Sequence, residues 1–398
     1  MSEIPSLPAD AREPTLLQAL LPIGVLVVLL ATGVWLFGAD AAFGANQVAL
    51  VFAAAMAALI GWRNGLTWEQ LQDGIVQGVG VATGAIFILL AVGALIGTWI
   101  LAGTVPTLIH YGLMLLDPSW FYPAVCLLCA AVAMTIGSSW TTAGTIGVAL
   151  MGVAGGLGMD PAITAGAVIS GAYFGDKMSP LSDTTNLAPA AAGSELFAHI
   201  RHMTWTTLPS ITLAVLGFAI IGWKATAAGN VTGVGDLSAE MQKHFQLGLH
   251  LLVPLLVVLV MAARKVPALP TVLAGALLGA VFAAIFQPDA VRALAGDGVS
   301  GFMALLKGAW MALYGGFKLE SGIDAVDALL SRGGMASMLN TIWLILCAMA
   351  FGAVMEKAGL LERLIRSVLT AAKSTGSLIA ATLVTAFGTN VVTADQYI

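Results

Sequence analysis

The residues of this chain that could carry out chemistry are concentrated in one polar stretch, GAYFGDKMSPLSDTTNLA, at 171–188. It holds two carboxylates, a lysine and several hydroxyl and amide side chains: Asp176, Asp183, Lys177, Ser179, Ser182, Thr184, Thr185 and Asn186. Hard cations such as Na⁺ prefer oxygen ligands of these kinds. A buried carboxylate can hold either a proton or a cation, because burial disfavours its unpaired charge. The stretch therefore predicts a site at which a proton and a cation compete.

Asp176 and Asp183 are the candidate Na⁺ ligands of this site, and the residue types leave open which of them binds the ion. Ser182, Thr184 and Asn186 are further candidate ligands. Asp183 could also cap a helix, since Asp is a common N-cap, and that role does not exclude ion binding. Lys177 is expected to neutralise its neighbour Asp176 in an internal ion pair.

Pro180 predicts that the helix carrying these residues is broken. Proline removes a helix hydrogen bond and clashes with the preceding turn. We expect one half-helix to end near Gly175 and the next to start near Ser182. Irregular backbone at membrane depth is tolerated only where it is buried in protein or lines a cavity. The break is therefore expected to face protein, water or a bound ion.

A second polar break, TIGSSWTTAG at 135–144, interrupts another apolar segment. The apolar stretches on its two sides total about 36 residues, which is too long for one membrane span. Either a re-entrant hairpin with Ser138 and Ser139 at its tip or two full spans would fit. Ser138, Ser139 and Thr142 are the candidate ion-site residues of this break.

The elements that position these breaks are membrane helices. Hydrophobic residues make up 59% of the 398-residue chain, charged residues 9%, and mean hydropathy is +0.95. Soluble domains carry roughly 25% charged residues, so the predicted fold class is an all-α polytopic membrane protein in a lipid bilayer. No basic run or stripe suggests nucleic-acid binding. Because a span needs roughly 20 apolar residues, we predict spans near 15–38, 45–61, 79–102, 121–136, 140–156, 161–175, 204–223, 244–262, 266–287, 337–356 and 376–398.

Lys and Arg placement predicts the orientation of these spans, because positive connections stay on the cytoplasmic side. The four positive connections contain Arg63, Arg201, Arg264 with Lys265, and the group Lys357, Arg363, Arg366 and Lys373. Counting from a cytoplasmic N-terminus places all four inside. The count assumes that 288–335, which could be an interfacial or re-entrant segment, adds no odd crossing.

A repeat is hidden in the apolar pattern. The segment 85–109 aligns with 341–365, and GSSWTTAG at 137–144 then aligns with GTNVVTAD at 388–395. The first copy enters from inside and the second from outside, which predicts an inverted-topology repeat of the kind found in secondary transporters. The second tip adds four candidate site residues: Thr389, Asn390, Thr393 and Asp395. The chain stops within this pattern, so we expect it to be incomplete at its C-terminus.

The repeat predicts four parts: N-terminal helices at 1–64, a first transporter repeat at 65–223, connecting helices at 224–335 and an incomplete second repeat at 336–398. The motifs quoted above, together with GTNVVTADQY and HIRHMTWTTLPS, resemble the NhaC-type Na⁺/H⁺ antiporter family. The likeness runs from about residue 65 onwards. It implies inverted repeats, paired hairpins and broken helices that meet at mid-membrane.

The resemblance also implies exchange of cytoplasmic Na⁺ for external H⁺ by alternating access, with no cofactor and no enzymatic reaction. It implies a multi-pass protein of a bacterial or archaeal cytoplasmic (inner) membrane, and it is compatible with a homodimer. The family includes exchangers of organic anions, such as malate against lactate, for which Lys177 would be the cationic partner. An intramembrane aspartyl protease is a distant alternative, since Asp176 follows a glycine and Pro267–Leu269 reads Pro-Ala-Leu.

Overall fold

The computed structural model describes residues 12–115, 117–180, 182, 185, 188–189, 194–227, 241–264, 266–321, 327, 330–371, 376–377, 380 and 383. All regular secondary structure in these residues is helical. The first eight α-helices are α1 (Leu16–Phe37), α2 (Ala45–Arg63), α3 (Trp68–Leu101), α4 (Thr104–Leu115), α5 (Phe121–Ile136), α6 (Ser139–Thr142), α7 (Val148–Gly156) and α8 (Pro161–Met178). They are followed by α9 (Leu196–Ala227), α10 (Val253–Ala263), α11 (Ala268–Phe286), α12 (Pro288–Ala295), α13 (Gly301–Gly315), α14 (Leu339–Lys357) and α15 (Leu360–Ala371).

Seven helical segments in the described part of the chain are long and apolar enough to cross a membrane. They are Leu16–Phe37, Ala45–Arg63, Trp68–Leu101, Pro118–Thr135, Leu196–Lys224, Ala268–Phe286 and Met335–Lys357. A shorter apolar helix, Leu249–Ala263, corresponds to the span predicted at 244–262. The prediction of an all-α polytopic membrane protein is confirmed. The span predicted at 376–398 lies almost entirely outside the described residues.

Two helices begin earlier than hydropathy predicts. Helix α3 starts at Trp68 rather than near 79, because Thr67 and Gln70 form a capping box: the Gln70 N–H donates to Thr67 Oγ1 (3.2 Å) and the Thr67 N–H to Gln70 Oε1 (2.9 Å). Helix α9 starts at Leu196 rather than near 204. There the Glu195 carboxylate accepts from the Ala198 N–H at 2.8 Å. Caps set these starts, whereas hydropathy marks only the apolar part of each helix.

The segment whose structure the sequence leaves open, 288–335, contains the short helices α12 and α13. Helices α12 and α13 pack against each other, and both are shorter than the roughly 20 residues that a span requires. The backbone of α12 and α13 comes close at Gly308, where a Cβ atom would collide with the Val291 carbonyl oxygen.

The chain divides into two compact units, one comprising residues 1–86 and 339–398 and the other residues 87–338. In the first unit α2 packs against α1 and α14. Gln47 is fully buried there, and its Nε2 donates to the Ala42 carbonyl (3.0 Å) and to Asn340 Oδ1 (3.3 Å), so it joins α2 to the first turn of α14.

The second unit contains both polar breaks predicted at 135–144 and 171–188. Its main hydrophobic core includes the second half of α3, where the indole N–H of Trp99 donates to the Gly275 carbonyl of α11 at 3.0 Å. The most extensive helix pairing in the unit is between α5 and α8. This pair holds the site described below.

Candidate functional site

Helices α5 and α8 run side by side in the same direction. At one end the Asp160 N–H, just before α8, donates to Tyr122 Oη of α5 at 2.9 Å. At the other end Gly175 of α8 lies against residues 130–134 of α5. The segment between the two helices must therefore run in the opposite direction, and the chain reverses at Gly137. Helix α5 and the segment 139–156 form the two arms of this hairpin.

The hairpin turn is built by a left-handed glycine and a serine cap. Gly137 ends α5 with φ 74°, a conformation that L-residues with a Cβ rarely adopt. Ser138 then caps α6: its Oγ accepts from the Thr141 N–H at 3.2 Å and from Thr141 Oγ1 at 3.0 Å. Thr142 is fully buried and donates from Oγ1 to the Ser138 carbonyl at 2.9 Å. Ser138 and Thr142 therefore shape the turn through contacts within it.

Helix α8 ends at Met178, three residues later than Gly175, so the sequence-based boundary is wrong by almost one turn. Ser179 is extended (φ −81°, ψ 124°), as expected for a residue preceding a proline. Pro180 thus stops the helix two residues before itself instead of disrupting the whole preceding turn. Asp176 consequently sits inside the last turn of α8 and not beyond its end.

Asp176 and Ser139 bring the two breaks together. Ser139 Oγ donates to Asp176 Oδ2 at 2.8 Å, and the two residues are 3% and 5% exposed. The second carboxylate oxygen, Oδ1, is buried and accepts no hydrogen bond from any described residue. This centre, with Asp176 and Ser139 at its core, is called the Asp176 site below.

The ion pair expected between Asp176 and Lys177 is not present. Lys177 is exposed and Asp176 is buried, because adjacent residues on a helix point in different directions. Lys177 therefore does not neutralise the Asp176 carboxylate. Asp176 also lies in the last turn of α8, and the C-terminal end of a helix carries partial negative charge, so the helix supplies no positive partner either.

Thr185 belongs to the Asp176 site but was not among the predicted site residues. It is 3% exposed, and its Oγ1 donates to the carbonyls of Asp176 (3.1 Å) and Lys177 (3.0 Å). Ser182, which was predicted, is 1% exposed, and its Oγ accepts from the Thr185 N–H at 3.5 Å. The hydroxyl pair in SDTTN signalled this role, but sequence alone does not show which threonine turns back to α8.

Gly171 and Gly175 are a feature that sequence reasoning missed. A Cβ atom at Gly175 would lie 2.6 Å from Met134 N and 2.7 Å from Ala133 Cβ. At Gly171 it would collide with the Cys126 carbonyl oxygen. These glycines let α8 approach α5 closely, and this approach sets how near Asp176 comes to the hairpin turn.

The remaining predicted site residues lie outside the described part of the chain. They are Asp183, Thr184, Asn186, Thr389, Asn390, Thr393 and Asp395. Among the described residues no group of three or more His, Cys, Asp or Glu side chains could hold a metal ion. The Asp176 site offers one carboxylate and one serine hydroxyl, which are oxygen groups of the kind that hard cations bind.

The fold and the site define a multi-pass α-helical membrane protein with a buried carboxylate where two chain breaks meet. The Na⁺/H⁺ antiporter family matches residues 171–398, and the chain belongs to this family. It is 38% identical to the Na⁺/H⁺ antiporter NhaC of Alkalihalophilus pseudofirmus, over 97% of this chain and 79% of that protein. No solved structure matches the chain.

Two further relatives are named for other exchange activities. The malate-2H⁺/Na⁺-lactate antiporter of Bacillus subtilis is 35% identical over 98% of this chain and 79% of that protein. The arginine/ornithine antiporter ArcD of Halobacterium salinarum is 37% identical over 97% of this chain and 76% of that protein. These relatives are antiporters, which argues against the intramembrane-protease alternative.

Proposed function

We propose that this chain exchanges cytoplasmic Na⁺ for external H⁺, and that the two ions compete for the Asp176 site. One observation carries the proposal: Asp176 is 5% exposed, its Oδ1 has no donor among the described residues, and no ion pair joins it to Lys177. A buried, uncompensated carboxylate costs several kcal/mol, so it is stable only when it binds a proton or a cation. These two occupied forms are the two states that an antiporter needs.

Ser139 supports both forms of the carboxylate. Its hydroxyl can donate to an ionised Asp176, as at the observed 2.8 Å, and its oxygen can also accept a hydrogen bond from a protonated carboxyl group. In the proposed cycle Na⁺ displaces the proton on one side of the membrane and a proton displaces Na⁺ on the other. Alternating access then carries the occupied site between the two sides, and no cofactor takes part.

The proposal also covers the other predicted site residues, the four parts of the chain and its membrane location. Ser138, Thr142 and Ser182 shape the breaks, while Asp183, Thr184, Asn186 and the second-repeat residues Thr389, Asn390, Thr393 and Asp395 supply further oxygens. The parts 1–64, 65–223, 224–335 and 336–398 are proposed as N-terminal helices, first repeat, connection and second repeat. We propose the cytoplasmic membrane of a bacterium or archaeon as the location of the protein and a homodimer as its assembly.

The relative that exchanges malate and lactate keeps an organic-anion exchanger as the second candidate function. Such a substrate would need a cationic partner, and Lys177 is the one such side chain in the described breaks. Lys177 is exposed, however, while the buried group of the site is a carboxylate, which would repel a carboxylate substrate. The geometry therefore favours a cation.

The test is ion flux through the purified protein in proteoliposomes with an imposed pH gradient. We expect external Na⁺ to accelerate proton movement in the wild type, and Asp176→Asn to reduce this to the level of protein-free liposomes. Asp160→Asn is the matched control, because Asp160 caps the other end of α8 and Asn caps about equally well. Its exchange should equal that of the wild type.

Two outcomes would overturn the proposal. Wild-type exchange in Asp176→Asn would show that this carboxylate does not couple the ions. Acceleration of proton movement by malate or lactate but not by Na⁺ would replace the cation exchanger with the anion exchanger. Because loss of exchange in Asp176→Asn could also come from a failure to fold, size-exclusion chromatography checks that the inserted variant is folded.

A further inference from the structure

Thr185 makes a contact of a different kind from the buried threonines Thr142 and Thr145 near the Asp176 site. Thr142 and Thr145 each donate to the carbonyl four residues earlier in the same helical segment. Thr185 instead donates across the Pro180 break, to carbonyls eight and nine residues earlier, on the last turn of α8. Its hydroxyl therefore links the segment after the break to the end of the helix before it.

The two carbonyls that Thr185 reaches are ones that need a partner. The last four carbonyls of a helix have no intrahelical donor. The Asp176 carbonyl accepts from the Ser179 N–H at 3.1 Å as well as from Thr185, and the Lys177 carbonyl accepts from Thr185 at 3.0 Å. Because Thr185 is 3% exposed, water cannot readily replace its hydroxyl.

Asp176 is thereby fixed at both its backbone and its side chain. Thr185 and Ser179 hold its carbonyl oxygen, and Ser139 holds its carboxylate. Binding is stronger when the ligand groups are held in place beforehand, since less ordering has to occur on binding. A hydroxyl that fixes the backbone of the carboxylate residue would contribute to ion affinity without being a primary ligand.

We propose that Thr185 is a positioning residue for the transported cation: its hydroxyl holds the end of α8 so that Asp176 binds the ion tightly. The inference rests on the proposed function, because it takes Asp176 as the cation ligand. A helix cap with no such role would change the amount of folded protein and leave the apparent affinity for Na⁺ unchanged.

The test compares Thr185→Val, which keeps the shape and removes the hydroxyl, with Thr185→Ser, which keeps the hydroxyl. One neutral hydrogen bond corresponds to about a three- to tenfold change in affinity. We expect Thr185→Val to raise the Na⁺ concentration for half-maximal exchange by about this factor, with the maximal rate within about twofold of wild type. Thr185→Ser should restore the wild-type value.

Thr164→Val is the matched control. Thr164 is fully buried on the first turn of the same helix, where its Oγ1 donates to the Asp160 carbonyl at 2.8 Å. This variant loses an equivalent hydrogen bond far from the carboxylate, and its half-maximal Na⁺ concentration should stay at the wild-type value. If Thr185→Val inserts poorly, Na⁺-dependent thermal stabilisation of Thr185→Ala in detergent measures binding without transport.

The inference is overturned if Thr185→Val has wild-type Na⁺ dependence, if Thr164→Val shifts it equally, or if Thr185→Ala is stabilised by Na⁺ at wild-type concentrations. Asp176→Asn separates this failure from failure of the proposed function. Loss of exchange in Asp176→Asn with wild-type affinity in Thr185→Val rejects the positioning role alone. Wild-type exchange in Asp176→Asn rejects both.

Discussion

Adding a single methyl group at Gly175 tests whether the close packing of α5 and α8 sets the geometry of the Asp176 site. A Cβ atom there would meet Met134 N at 2.6 Å and Ala133 Cβ at 2.7 Å, whereas ordinary contacts begin at 3.4 Å. Backbone atoms of α5 cannot rotate away as a side chain can. The two helices would therefore have to separate by about 1 Å, because packed interiors have little free space.

Separation by this amount is enough to break the contact that joins the two polar breaks. Ser139 follows α5 through a two-residue turn, and its hydrogen bond to Asp176 is 2.8 Å long. Lengthening it by about 1 Å would take it beyond hydrogen-bonding distance. A hydrogen bond to a charged group is worth about 1.5–3 kcal/mol, so we expect Gly175→Ala to weaken Na⁺-dependent exchange at least about tenfold.

The assay is Na⁺-dependent proton flux in proteoliposomes, with Gly166→Ala as the control on the same helix. A Cβ atom at Gly166 would have nothing within 4 Å. Gly166→Ala should therefore exchange like the wild type and unfold with a free energy about 0.5–1 kcal/mol higher, since alanine favours helices over glycine. Wild-type flux in Gly175→Ala, or an equal loss in Gly166→Ala, would refute the argument from helix packing.

Two further variants test one contact at the Asp176 site and one elsewhere in the same unit. Ser139→Ala should reduce Na⁺-dependent flux about tenfold or more by removing the described donor to Asp176 Oδ2, whereas a twofold change or less would mean that this bond is dispensable. Gly334→Ala should lower the thermal unfolding midpoint, because Gly334 has φ +81° and its Cβ would lie 2.7 Å from the Tyr314 carbonyl oxygen. Gly315→Ala, with nothing within 4 Å of the added Cβ, should melt no lower than the wild type.

Sequence reasoning predicted the features that depend on local composition. Apolar runs located most of the membrane helices, and two polar interruptions located the breaks that Ser139 and Asp176 join. The predicted start of α3 is about eleven residues too late, because the prediction followed hydropathy and not helix caps. The pattern Thr67-x-x-Gln70 is a capping box that could have located this start.

Features that depend on contacts between distant residues could not be read from the sequence. Nothing in the sequence distinguishes Gly175, which lies against α5, from Gly166, where an added Cβ would meet nothing within 4 Å. Likewise, the order Asp176-Lys177 suggested an ion pair, but the helix turns these neighbours apart. Only the pairing of α5 with α8 shows which polar residue is buried and which is exposed.

The burial of Asp176 explains why the proposed transporter would exchange ions and not merely let them pass. An ionised carboxylate with no counter-charge is costly in a buried site, and a charge exposed to the bilayer interior is costlier still. The site is therefore held back from switching sides while it is empty and ionised. Protonation or Na⁺ binding removes this obstacle, so each change of side carries one ion or the other. Asp176 has no fixed positive partner among the described residues, and this property couples the two ions. A nearby lysine would neutralise the empty carboxylate and so abolish the coupling.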